Sequence, residues 1–395
     1  MAVGKECDGA SSDHDMSDRG QNTARSSRLS CLDGLRGIAA LVVVIFHVLA
    51  AVVPTLTPDQ TDSASWIAST PVAVAWNGPF AVAIFFTLSG FVVSHAAISR
   101  PEPLWVKVSI RYLRLAVPVT ASVIFAWILL TLIPNAANEL YLQTYRRWLQ
   151  YTYQAPIPSF ASAVYDGLIG NFVTGGSQFN NVLWTMRPEL VGSFACYAIG
   201  HFQRISIRVA LTLVFAIAVI ASHRLMLGSF VVGICMREAW AAGKLGSVGA
   251  RTALLAGLVI GSQSSSLPLF GRDGVARFMH PGQQTDIVYP IGAALVVYAC
   301  LASPPLRRLL SNRSCTFLGK ISFPLYLIHV PLIYTVLCRA LLATAGRFVE
   351  TWLCVLVFIG GCLTLSAILE RHLERHFLAL LKPLGRKMGG APRTQ

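Results

Sequence analysis

Arg36 and His47 lie eleven residues apart in LDGLRGIAALVVVIFHVLA (Leu32–Ala50), an otherwise apolar run. On an α-helix that separation is about 16.5 Å of rise, and eleven steps of about 100° return to within about 20° of the starting face. The two side chains therefore point the same way, three turns apart. Ionisable groups inside an apolar slab are costly and default to function. Imidazole, with an ordinary pKa of about 6.5, suits proton transfer near neutrality, so His47 is the candidate base. A structural, hydrogen-bonded histidine is the plainer reading. Arg36 stands at the polar end of the run, one turn after Asp33, which can pair with it or cap the helix start. Alone, it also fits an ordinary membrane-edge anchor.

These residues need a scaffold that holds them in an apolar medium, and the composition supplies one. The chain has 395 residues, 54% hydrophobic and 13% charged, with mean hydropathy +0.59. Soluble chains carry roughly a quarter charged residues. Apolar runs approaching a membrane's width recur along the sequence, which predicts an all-α, polytopic transmembrane bundle. Ten spans are expected, near 32–53, 78–98, 115–133, 183–200, 206–222, 225–241, 251–266, 286–302, 321–341 and 350–369.

The net charge of +14 is distributed as topology rather than as a nucleic-acid footprint. Lys5, Arg19, Arg25, Arg28 and Arg36 at one end, and the six cations beyond Glu370 at the other, share a side with Arg100–Arg114 and Arg307–Lys320. Fewer, including Arg146, Arg147, Arg224, Arg272, Arg277, Arg339 and Arg347, face the opposite side. That bias predicts both termini in the cytoplasm, and a multi-pass protein of the plasma or inner cell membrane. Residues 1–28 read as a disordered cytoplasmic tail without the apolar core of a secretory signal. Residues 29–370 form the transmembrane domain, and 371–395 a basic cytoplasmic tail. The nine cysteines are scattered singly, so neither a zinc site nor a disulfide framework is indicated. His372 and His376 have metal-compatible spacing but sit in that basic stripe, so no metal is expected.

One outer segment, 134–182, is long. In ELYLQTYRRWLQYTY, Leu142, Tyr145 and Leu149 recur at helical spacing beside Arg146, Arg147 and Gln150. This predicts an amphipathic helix at the headgroup level, compatible with an aromatic platform for an outer-face substrate such as a sugar.

LDGLRGIAALVVVIFHV resembles the first-helix signature of the acyltransferase-3 family of membrane proteins. Four further blocks follow in order. FFTLSGFVVS (Phe85–Ser94) resembles the second-helix motif, and RYLRLAVP (Arg111–Pro118) the basic segment followed by proline. LWTMRPELVGSFACY (Leu183–Tyr197) is similar to the Leu-Trp-Thr…Glu helix, and ISFPLYLIHVPLI (Ile321–Ile333) to the late Tyr-Leu-x-His-x-Pro helix. Arg187-Pro188 depart from the family, which more usually shows apolar residues or a lone proline before the glutamate.

The resemblance implies about ten helices and transfer of an acyl group, commonly acetyl, from acyl-CoA to hydroxyls of carbohydrates or other small molecules. The family's functional positions carry over to Arg36, His47, Arg111, Arg114 and Glu189. Arg111 and Arg114, three apart, share a helix face, and their guanidinium forks, with Arg36, suit the phosphates of acyl-CoA. Without the resemblance they would read as membrane-edge cations. Glu189, at a depth matching His47, is expected to orient it or stabilise its protonated form, as third groups do in acyl-transfer sites. Arg187 could instead neutralise Glu189. Trp184, Tyr326 and His329 are candidate substrate contacts, His329 equally a packing partner of Tyr326. Ser89-Gly90 reads as a close helix-packing pair rather than a nucleophile. The competing reading is a transporter whose His47 and Glu189 relay protons or bind solute.

Overall fold

The structure is a computed structural model that describes residues 10–57, 65–151, 156–263, 283–344, 346–377 and 379–381. The remainder of both expected tails, with Arg272, Arg277 and His280, lies outside the described residues. Helix is the only regular structure among the described residues, in agreement with the all-α expectation.

The helices are α1 (Ala10–Val52), α2 (Gly78–Ser99), α3 (Leu104–Leu132), α4 (Ala136–Thr144), α5 (Phe160–Tyr165), α6 (Asn171–Thr174), α7 (Met186–Gly200) and α8 (Ile205–Ala221). They continue with α9 (Gly228–Ala241), α10 (Ala250–Gly261), α11 (Gln283–Ala302), α12 (Pro304–Leu310), α13 (Arg313–Leu332), α14 (Cys338–Thr344) and α15 (Phe348–Leu369). Their starts follow local chemistry. The side chain of Asn77 accepts from the Phe80 amide, and that of Asn312 from the Cys315 amide, so each caps the helix it precedes.

Five segments are long and apolar enough to cross a membrane: Ser30–Val52, Gly78–Ser99, Leu104–Leu132, Arg313–Thr344 and Phe348–Leu381. A sixth follows if Asp286–Ala302 and Pro304–Leu310, bent by 97°, form one span. The other four expected spans are α7, α8, α9 and α10, with 15, 17, 14 and 12 residues. At about 1.5 Å per residue none reaches the ~30 Å of a hydrocarbon core alone. Length and composition thus single out five or six of the ten.

Two close approaches set the register of the site. A Cβ on Gly37 would stand 2.4 Å from the Gly319 amide nitrogen, and one on Gly319 would stand 2.3 Å from the Asp33 carbonyl oxygen. Only glycine lets α1 and α13 touch backbone to backbone there, which brings the histidine-bearing parts of both helices together. A Cβ on Gly233 would likewise collide with the Thr87 carbonyl oxygen, and this close approach joins α9 to α2.

Proline sets the next constraint. Pro331 has no N–H, so the Leu327 carbonyl one turn back loses its helical partner in an apolar interior. Ser122 on α3 and Asn180 both donate to it, at 2.8 Å each, and Asn180 also donates to Ser122 at 3.1 Å. One orphaned carbonyl thereby ties α13 to α3 and to the segment ahead of α7.

Candidate active site

His47 on α1 meets His329 on α13. His47 Nδ1 and His329 Nε2 are 3.0 Å apart, and His329 Nδ1 is 3.0 Å from the Leu325 carbonyl oxygen. His329 is fully buried, whereas His47 keeps partial exposure. The His47 ring lies between Phe46, Trp148 and His329, with centroids 5.1, 5.3 and 5.1 Å away.

Trp148 comes from the outer segment, which does not form the expected single amphipathic helix. Tyr145 takes φ +52°, a left-handed conformation that ends α4, and a tight turn follows over Arg147–Tyr151. Leu142 and Tyr145 stay exposed, but Trp148 and Leu149 turn inward and are buried. Arg146 fastens this turn by donating to the Ala51 carbonyl near the end of α1, at 2.6 Å. Burial lowers the Arg146 pKa from the ordinary arginine value. Sequence spacing missed Trp148 because the break at Tyr145 moves it off the periodic face.

Arg36 pairs with Asp33 at 3.1 Å, one of the two roles expected of Asp33. Arg36 also lines a cavity of about 300 Å³ together with Arg100, Arg111, Arg114 and Lys320, drawn from α1, α2 and its end, α3 and α13. Among the described residues Glu189 is the one carboxylate in that wall, so their lining carries a clear positive excess. The same lining includes Phe85, Thr185 and Tyr326.

Glu189 does not pair with His47. It forms an ion pair with Arg111 and accepts a hydrogen bond from Ser89. Arg111 also donates to Ser193 at 3.0 Å and to Ser89 at 3.2 Å. The group that stands against His47 is thus His329 rather than Glu189, because the α1–α13 glycine contact carries it there. Arg187 does not neutralise Glu189 either, as it donates to the Thr174 carbonyl at 3.3 Å. The Ser89-Gly90 pair divides its work. Gly90 lies against Phe230, and Ser89 joins the carboxylate in the cavity wall.

Tyr326 connects the cavity to the histidines. Its hydroxyl donates to the Val182 carbonyl at 2.9 Å and lies 2.8 Å from Thr185 Oγ1, while its ring is 5.9 Å from that of His329. Trp184, beside Thr185, is 41% exposed and stands outside the cavity lining. His47 and His329 also stand outside the lining, behind Tyr326.

The arrangement can hold a polyanion at one end and exchange a proton at the other. A family model described as an acyltransferase domain matches residues 29–371, most of the chain. No curated protein and no solved structure matches it. The chain belongs to the acyltransferase-3 family, and its apolar helices fit an integral membrane protein.

Proposed function

From that membership, we propose that the protein moves an acyl group, acetyl in the simplest case, from acyl-CoA to a hydroxyl of a carbohydrate or other small-molecule acceptor. The observation that supports this most is the cation-rich cavity whose lining includes Tyr326, the ring beside His329 of the His47–His329 pair. Ten spans with both ends cytoplasmic turn Arg36, Arg100 and Lys320 toward the acyl-CoA supply of the cell interior. The donor's phosphates engage these cations and Arg114, and the pantetheine arm follows the cavity past Ser89 and Glu189 toward Tyr326. Glu189 acts on the donor side, holding Arg111 in the wall. Trp184, exposed beside Thr185, and Tyr326 contact the substrates.

In the transfer step, His47 accepts the acceptor hydroxyl's proton as that oxygen attacks the thioester carbonyl. The carbon–sulfur bond then breaks, and the CoA thiolate leaves with the proton returned by His47. Labelled acetyl-CoA supplied to inside-out vesicles, followed by extraction of labelled product, tests the reading. Transfer should require the protein, and His47→Ala should abolish it while the variant still inserts. Uptake of an unmodified solute with no CoA released would replace the acyltransferase with a transporter.

A further inference from the structure

We infer that His329 is the positioning residue that decides which nitrogen of His47 acts as the base. The kinetic consequence rests on the acyl-transfer reading, but the proton placement does not.

The reasoning starts at a carbonyl. The Leu325 oxygen carries no hydrogen, so at 3.0 Å from His329 Nδ1 it accepts, and Nδ1 holds the proton. A neutral imidazole has one N–H, which leaves a lone pair on His329 Nε2. That lone pair is 3.0 Å from His47 Nδ1, so the hydrogen between the rings belongs to His47 Nδ1. Neutral His47 is then left with its lone pair on Nε2. The chain of donors runs from His47 through His329 to the helix backbone in one direction only.

The same chain stabilises the product of proton capture. When His47 Nε2 takes a proton, the Nδ1–H of the resulting imidazolium points at the His329 lone pair. His329 accepts that hydrogen bond through its Nε2 lone pair and remains bonded to the Leu325 carbonyl, so it steadies the imidazolium without itself becoming protonated. This is the service a carboxylate gives to a histidine in acyl-transfer triads. A neutral histidine gives it without placing a permanent charge at a fully buried position, where a charge is costly. Glu189, the carboxylate among the described residues of the cavity wall, is committed to Arg111 and Ser89. The rings of Phe46 and Trp148 also pack against that of His47.

Nitrogen-15 spectra of full-length protein with labelled histidine, assigned through His47→Gln and His329→Gln, read the proton positions directly. Wild-type His47 should show Nδ1 protonated and Nε2 bare. His329→Leu should populate the opposite tautomer, reduce kcat by roughly 100-fold or more, and leave the donor KM within about threefold. His329→Gln offers an amide oxygen to the same N–H and should recover at least about tenfold of the lost kcat. The Val43 backbone one turn back also interacts with the His47 ring. If that contact alone set the tautomer, His329→Leu would keep the wild-type spectrum, and the inference would fail. It would fail equally if wild-type His47 carried its proton on Nε2, or if His329→Gln were no better than His329→Leu. A wild-type protein that moves no acyl group would sink the functional reading, while the spectra would still decide the proton placement.

Discussion

Glu189 fixes where the Arg111 guanidinium stands in the cavity wall. It holds Arg111 in the wall together with Ser89 and Ser193, while Arg100, Arg114 and Lys320 line the same space. Glu189→Ala should free the guanidinium from its fixed fork and raise the donor KM about tenfold, equivalent to about 1.4 kcal/mol. Steady-state kinetics with donor and acceptor varied separately check this. A fall in kcat at unchanged donor KM would restore Glu189 to the proton-transfer step. The local partners of these residues were legible from sequence, since Asp33–Arg36 is an i, i+3 pair and Arg36–His47 is helix arithmetic. Arg111–Glu189 and His47–His329 were not, because each joins different helices across long stretches of chain. Depth matching suggested Glu189 for His47, but depth says nothing about azimuth. The glycine contact between α1 and α13 settles azimuth in favour of His329.

At the scale of elements, α13 is positioned by what proline takes away. Asn180 is fully buried and serves the carbonyl that Pro331 leaves open. Asn180→Ala should destabilise the protein by about 1–3 kcal/mol, since Ser122 alone then satisfies that oxygen. It should also lower kcat, because His329 lies two residues further along the same helix. Thermal unfolding in detergent and turnover, measured on one preparation, test both halves. The outer segment offers a second case. Burial raises the Asp166 pKa, and the hydrogen bond from Ser177 only partly opposes it. A carboxyl with a raised folded pKa binds its proton more tightly when folded. That contribution to stability is present at low pH and is lost as pH rises through the folded value. Asp166→Asn should therefore raise Tm at pH 7 and leave it unchanged near pH 3.5, with hydrogen exchange at 160–174 following the same pattern. The helical elements were readable from apolar period and capping residues. The turn at Tyr145 was not, because a left-handed tyrosine has no sequence signature and what rewards it, burial of Trp148 and Leu149 and the Arg146–Ala51 hydrogen bond, is tertiary.

At the scale of the whole molecule, the cavity exists only when distant parts of the bundle assemble. Arg36 stands on α1, Arg100 at the end of α2, Arg111 and Arg114 on α3, Glu189 on α7 and Lys320 on α13. Each cation alone fits a membrane-edge anchor, which is why sequence could count the charges without showing that several face one space. Their convergence has a consequence that single anchors lack. Anchors facing different parts of the membrane surface do not act on one ligand, whereas a shared cavity sums their potential on a polyanion. Arg36, Arg100, Arg114 and Lys320 keep solvent exposure, so salt should screen them over a Debye length of about 10 Å at 0.1 M. Raising monovalent salt from about 0.05 to 0.5 M should increase the KM for acyl-CoA severalfold. The KM of an uncharged acceptor and kcat at saturating donor should stay nearly constant. Arg111→Ala combined with Arg114→Ala should raise the donor KM at low salt and flatten its dependence on salt. Helix propensity and topology are insensitive to this change in salt, so an anchor role alone predicts no such curve. A donor KM that ignores salt in the wild type would mean that the phosphates bind away from these helices, and the cavity would lose its claim to the donor.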